Sequence, residues 1–270
     1  MDESADRAVR TINPSGRGPF VIAVDHASNR IPARWGDLGL PPSERIRHIA
    51  WDPGALGVAL ALSRLLDAPV VHSTVSRLVI DCNRDSDAPD LTPALAELTP
   101  VPGNMAIAPD DLKWRLASVH APFHAALDKV LDDRAENGAD PVLVCLHSFT
   151  PRFKGVARPW PIGLIHARDQ RYTALLRDAL ERDAPGLAVG WNEPYSALNG
   201  VTYTLEHHGD GRGLDATMIE IRHNEILEPG GVSLWAARLA RCLEAARLAL
   251  RPAPVVTGAD TGQQQGASNG

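Results

Sequence analysis

The chain has 270 residues, 44% hydrophobic and 22% charged, with six tryptophans, which is enough apolar material for a sizeable core and excludes a compositionally disordered chain. Its net charge of −6 comes from 33 acidic against 27 basic residues, so a nucleic-acid or other polyanion binder, which needs a basic excess, is not the expected class. Only three of the 27 basic residues are lysine and the other 24 are arginine, a bias that genome composition accounts for as a whole, so any single arginine needs its own argument.

In chain order, MDESADRAVR carries acids and no apolar run, so no secretory signal is expected and residues 1–18 read as an N-terminal extension. Phe20–Val24 is continuously apolar and β-branched, the pattern of a strand covered on both faces, and it ends in the polar cluster Asp25-His26-Ala27-Ser28-Asn29. Asp52-Pro53-Gly54 then precedes Ala55, Leu56, Val58, Ala59, Leu62, Leu65 and Leu66, where Asp as N-cap and Pro in the first turn predict an amphipathic helix. Further strands are predicted at Pro69–His72, Leu78–Asp81, Val142–Leu146, Ile162–Ile165, Leu187–Val189 and Met218–Ile221, and helices at about 110–135, 170–183 and 231–250. This alternation predicts an α/β fold of three layers, a mostly parallel or mixed central sheet flanked by helices. The proline-rich stretch from Ala88 to Pro109 reads as a long excursion from the sheet, of the kind that carries function. Residues 19–251 are expected to form a single domain, and 252–270, rich in Gly, Gln and Ser, a disordered tail.

Cys82, Cys145 and Cys242 are scattered and form no CxxC pair, so neither a disulfide framework nor a thiolate zinc site is indicated and a reducing, cytoplasmic setting is expected. No apolar run approaches the length of ~18 residues needed for a membrane span.

In open α/β sheets ligands bind beyond the carboxyl ends of strands, which directs attention to His26, Asn83-Arg84, His147-Ser148 and Glu220, with Asp52 at the start of the helix after the first strand. Two neutral imidazoles and a carboxylate suit one zinc ion with an open position for water. Asp52 completes such a set with His26 and His147, or serves only as an N-cap. Glu220 lies in an apolar strand where desolvation raises its pKa, which suits a water-activating base; a structural ion pair is the alternative. The planar fork of Arg84 suits a substrate carboxylate, or a salt bridge to Asp81 or Asp85. His120 and His124, one helical turn apart, read as packing residues, and His207, His208 and His223 as loop residues open to substrate contact.

Together the segments Phe20–Pro32, Ala50–Ala55, Ser76–Asp85, Leu146–Arg152, Arg158–Gly163, Asn192–Ser196 and Ile219–Arg222 resemble the N-formylglutamate amidohydrolase family from about residue 19 to 250. The resemblance implies a zinc-dependent exopeptidase-like fold and hydrolysis of an N-acyl amino acid, N-formyl-L-glutamate in the first place, to glutamate and formate. By similarity to zinc amidases, His26, Asp52 and His147 are the expected metal ligands and Glu220 the base. By similarity to zinc carboxypeptidases and aspartoacylases, the HxxE position falls on Asn29, a poorer zinc ligand that is left as a substrate-binding candidate, and Asn83-Arg84 matches a carboxylate-binding pair. Arg222 is expected to stabilise the oxyanion or a second carboxylate. Where many family members have Asp-Leu after this block, the chain has His223-Asn224-Glu225. The expected partner is a small-molecule substrate, without nucleic acid or membrane, in a monomer or homodimer. The competing readings are a zinc peptidase or peptidoglycan-type amidase on an acyl-peptide, and a non-catalytic small-acid binding protein on the same fold.

Overall fold

The computed structural model describes residues 7–195 and 200–250, and the tail expected over 252–270 lies outside them. In chain order the elements are β1 (Val9–Ile12), β2 (Phe20–Val24), α1 (Pro42–Arg45), α2 (Ala55–Leu66), β3 (Val70–Ser73), β4 (Leu95–Ala96), β5 (Thr99–Pro100), α3 (Pro109–Arg115) and α4 (Ala121–Glu136). They continue with β6 (Val142–Phe149), β7 (Arg152–Phe153), β8 (Val156–Ala157), β9 (Ile162–Ile165), α5 (Arg171–Asp183), β10 (Val189–Trp191), β11 (Ala216–Arg222) and α6 (Pro229–Leu250).

Seven strands form one mixed sheet in the order β1-β3-β2-β6-β11-β9-β10. Strands β3, β2, β6 and β11 run parallel, β1 is antiparallel at one edge, and β9 with β10 runs antiparallel to β11 at the other. The edge strand β1 comes from the segment expected to precede the domain. Successive side chains of a strand face opposite layers. Phe20, Ile22, Val24, Val142, Val144, Leu146, Ile219 and Ile221 therefore pack against α2, α5 and α6, while Val21, Ala23, Leu143, Cys145 and Met218 pack toward α4. Every residue of β2 and β6 is buried, which is why these strands lack polar alternation.

The same parity decides where polar side chains go. Continuing the series 21, 23 and 143, 145 past the apolar runs places Asp25 and His147 on the α4 face, and 218 is followed there by Glu220. In the parallel pair β6·β11, Glu220 stands directly opposite His147.

One predicted strand is absent: Leu78–Asp81 is a turn segment. The Ser76 hydroxyl accepts the Leu78 N–H at 3.2 Å and the Val79 N–H bonds the Ser76 carbonyl at 2.9 Å, so local bonds displace a ladder. Its apolar side chains are buried all the same, and that burial is what the sequence pattern reported. Buried Arg115 donates to the Val79 carbonyl at 2.8 Å and to Asn104 Oδ1 at 2.7 Å. Asn104 in turn donates to the carbonyls of Leu78 and Pro93. The proline-rich excursion, which holds the β4·β5 hairpin, is thereby pinned over the carboxyl ends of the strands.

Candidate active site

Asp52 is not the N-cap of α2. That position is Gly54 at φ +85°, and no side chain caps the helix. An added Cβ at Gly54 would lie 2.4 Å from the Ile226 carbonyl, so only glycine fits this left-handed corner. The corner turns the Asp52 carboxylate into the sheet end, where His26 Nδ1 lies 3.3 Å and His147 Nδ1 2.9 Å from its Oδ2. The Ser148 N–H donates to the same oxygen at 3.3 Å, and the Asp52 N–H bonds the His26 carbonyl at 2.9 Å, tying the two loops together.

The outer nitrogen of each imidazole meets a further carboxylate. His26 Nε2 lies 2.6 Å from Asp81 Oδ1, and His147 Nε2 lies 3.1 Å from Asp25 Oδ2. A carboxylate accepts only, so His26 Nε2 carries a proton, while His147 Nε2 faces Asp25 Oδ2 at ion-pair distance without an aligned hydrogen bond. A neutral ring then points the bare Nδ1 lone pair at Asp52 Oδ2, acceptor against acceptor. Such contacts need positive charge between the atoms, supplied either by a second proton on each ring or by a metal ion. The nearest ligand atoms of His26, Asp52 and His147 lie within 4.8 Å of one another and all three residues are buried, so they fit a metal ion held by two imidazoles and a carboxylate.

Without a metal ion the electrostatics favour the second proton, which marks the same point between the rings and Asp52 as a place for positive charge. Burial opposes charge on every group, but the three carboxylates outweigh it for the imidazoles: His26 is raised by Asp81 and Asp52, and His147 well above its ordinary value by Asp25 and Asp52. Burial likewise pushes Asp52, Asp25 and Asp81 up, and the imidazoles, with Arg77 for Asp81, overcome it and hold all three below the usual carboxylate range. Arg77 lies 2.6 Å from Asp81 Oδ2 and 3.7 Å from Asp52 Oδ1. Glu220 behaves differently: burial, reinforced by Asp52, pushes it up to about 7, and its Oε2 is buried without a hydrogen-bond partner. A carboxyl poised near neutrality beside a cation site is suited to taking and returning a proton.

These groups open onto a cavity of about 290 Å³ lined by His26, Asp52, Arg77, Asp81, His147 and Glu220 at its base, and by Asn83, Arg84, Asp90, Glu97, Phe149, Phe153 and Tyr195 among others on its walls. Arg84 donates through Nε to Asp90 Oδ2 at 2.8 Å, a different acid from Asp81 or Asp85. The Asn83 amide is occupied by the backbone: it donates to the Val201 carbonyl at 2.7 Å and accepts the Thr204 N–H at 3.1 Å, so it shapes the wall.

Two candidates stand elsewhere. Asn29 donates to the Arg45 carbonyl at 3.0 Å and does not line the cavity. Arg222 is turned away, bound by the Glu225 carboxylate at 2.8 Å and by the carbonyls of Arg158 and Pro159. His120 and His124 hold the loop of Arg84 from below, donating to the carbonyls of Arg84 at 2.9 Å and Cys82 at 3.0 Å. His208 is fully buried with its Nε2 2.9 Å from His124 Nδ1, so it does not face the cavity.

Residues 18–227 match the family model of FGase, N-formylglutamate amidohydrolase. The chain belongs to this family. A gene product from Agrobacterium tumefaciens is 34% identical, with a TM-score of 0.89 over 93% of this chain and 98% of that one. The N-formylglutamate amidohydrolase from Ralstonia eutropha shares the fold at 19% identity, with a TM-score of 0.67 over 91% of this chain and 99% of that one. A search of curated proteins finds no match.

Three residues of this site were not singled out from sequence: Arg77 and Asp81, which line the cavity, and Asp25, which stands behind His147 without lining it. Asp25 directly precedes His26 and ends the same strand, which is the one local signal that marks it. Arg77 directly precedes and Asp81 ends the segment Leu78–Asp81 read as a strand, and four extended residues span ~13 Å, which gives no hint of their ion pair. Tyr195 entered only as part of a matched block. It reaches the cavity from the segment after β10, which crosses β9 at Gly163, where an added Cβ would lie 1.8 Å from the Glu193 carbonyl.

Proposed function

We propose that this protein hydrolyses the amide bond of an N-acyl amino acid, N-formyl compounds first among them, with one divalent ion, zinc by its donor set, held by His26, Asp52 and His147. The observation that carries the reading is the convergence of two Nδ1 atoms and Asp52 Oδ2 beneath Glu220, each imidazole backed by its own carboxylate. When bound, such an ion polarises the amide carbonyl and lowers the pKa of water toward ~7. Glu220 takes a proton from the attacking water and delivers it to the departing nitrogen. The water oxygen ends on the acyl carbon, the C–N bond breaks, and the products are the free amine and the acid. Arg84 holds the substrate carboxylate, and Arg77, anchored by Asp52 and Asp81, keeps the ligand carboxylate in place. Asp25 and Asp81 fix the tautomers of His147 and His26. The stretch 19–251 is read as the unit that does this. Among the described residues no helix is long and apolar enough to cross a membrane, which fits a small dissolved substrate.

The test is metal content followed by turnover. The purified chain is expected to bind one zinc ion, and chelation to abolish hydrolysis of N-formyl amino acids. Glu220→Gln is expected to keep the metal and lose ~10²–10⁴-fold in kcat. A chain without metal, or full activity in Glu220→Gln, overturns the reading.

A further inference from the structure

The charge on the cavity walls bears on which amino acid the site takes, and the inference rests on the reading above. Besides Glu220, four carboxylates line the cavity, Asp52, Asp81, Asp90 and Glu97, against two guanidinium groups, Arg77 and Arg84. One divalent ion cancels that difference and leaves no surplus for a doubly charged substrate.

The two arginines are not equivalent. Arg77 is committed to Asp81 and Asp52 at the base. Arg84 is paired only with Asp90, whose side chain is 55% exposed, so water can receive the Asp90 carboxylate when another anion takes its place. This makes Arg84 an exchangeable anchor for one carboxylate.

Elsewhere the walls are chiefly Ile49, Pro93, Leu95, Ala96, Phe149 and Phe153, with Glu97, His48, Ser148, Thr150 and Tyr195 set among them, and the Ser148 and Thr150 hydroxyls already donate to the carbonyls of Pro53 and Arg152. Glu97 shares a single cation with a second acid: Arg47 lies 2.7 Å from Glu97 and 2.6 Å from Glu44. His48, 3.3 Å from Glu97, is held below its ordinary pKa, chiefly by burial, and adds no charge at neutral pH. Two further cations lie against this wall without lining the cavity: Arg158 stacks on Phe153 and Tyr195 at 4.6 and 4.8 Å and donates to the Tyr195 hydroxyl, and the Lys154 ammonium lies 5.5 Å from the Phe153 ring. A second substrate carboxylate would therefore meet an apolar wall carrying a carboxylate surplus, and desolvating it there without a partner is unfavourable.

We propose that the preferred substrate is an N-acyl amino acid with a single carboxylate, bound by Arg84 in exchange for Asp90, and an uncharged side chain lying against Phe149, Phe153 and Leu95. The glutamate derivative is then a poor substrate of this family member.

The experiment compares kcat/KM for N-formyl-L-methionine, N-formyl-L-leucine and N-formyl-L-glutamate on the zinc-loaded full chain, and binding of the same three compounds to Glu220→Gln by calorimetry. The uncharged compounds are expected to lead by at least ~10-fold in both measurements, and Glu97→Gln to narrow that ratio to within ~3-fold. Preference for the glutamate compound, in turnover or in binding, overturns the proposal, and a ratio unmoved by Glu97→Gln overturns the part given to that wall. If none of the three is hydrolysed the proposed reaction fails, and the order of binding still decides this inference.

Discussion

His26 and His147 each use one ring nitrogen toward Asp52 and the other toward a carboxylate of their own. In the proposed metal site, Asp81 and Asp25 behind the ligands are therefore expected to carry a measurable part of the metal affinity. Replacing Asp81 or Asp25 by Asn keeps an acceptor for the Nε2–H but removes the charge that makes the ring a better donor. Zinc affinity is expected to fall ~10–100-fold in either variant, read by competition with a chromogenic chelator, while the fold is retained. Glu220 is the converse case. Inside an apolar strand a lone acid is legible from sequence, because alternation leaves no reason for it except pairing or chemistry. Which of the two holds was not legible, since its neighbours His147 and Asp52 lie 73 and 168 positions away in the chain.

At the scale of elements, the excursion from Ala88 to Pro109 shows how composition and tertiary contacts divide the information. Its prolines preclude a regular element, and a loop of that length over strand ends is expected to touch ligand. It does line the cavity, through Asp90, Pro93, Leu95, Ala96 and Glu97. What composition could not supply is that Asp90 occupies the guanidinium of Arg84. Replacing Asp90 by Asn removes the internal competitor, so KM for a carboxylate substrate is expected to fall ~3–10-fold with little change in kcat, and to become more sensitive to salt. Steady-state kinetics at two ionic strengths check both. The helix pair α3 and α4, joined through a π-turn at Leu116–His120, presents His120 and His124 to the same loop from below. Their spacing read as packing, and packing with hydrogen bonds to the Arg84 loop is what they do.

For the whole molecule, buried His124 couples the fold to pH. His124 is pushed down to about 3, chiefly by burial, with His120 adding to it. Its ring in the unfolded chain titrates near 6.5. Below that value the unfolded chain binds the proton first, so the stability that neutral His124 contributes is fully present above pH ~6.5 and is lost as pH falls toward 3, by ~1.4 kcal/mol for each pH unit. His26, His147 and Glu220, all raised, contribute with the opposite sign, so the prediction is a difference: between pH 7.5 and 5.5 the Tm of wild type is expected to drop relative to that of His124→Gln as pH falls. An equal slope in wild type and variant counts against this account. The surface arginines contribute little by comparison: Arg171 and Arg241, paired with Asp169 and Asp183, reach into solvent, which screens them.

The sequence by itself determined the layer architecture, the central strands, the long helices and the metal and base candidates, because all of these rest on local apolar pattern and on where it breaks. Burial of Leu78–Asp81 was legible too, but its backbone was not, since hydrogen bonds of Ser76 outweighed the strand pattern. Only the tertiary structure decided that Asp52 faces two imidazoles instead of capping a helix, that Asp25 and Asp81 stand behind them, and that Arg84 meets Asp90 while Arg222 is turned away. Those are through-space pairings between segments far apart in the chain, and electrostatics depends on distance in space, which the order of residues does not contain. The arginine excess shows the difference: composition counts 24 guanidinium groups, and geometry sets Arg84 in the cavity wall, paired with a largely exposed acid.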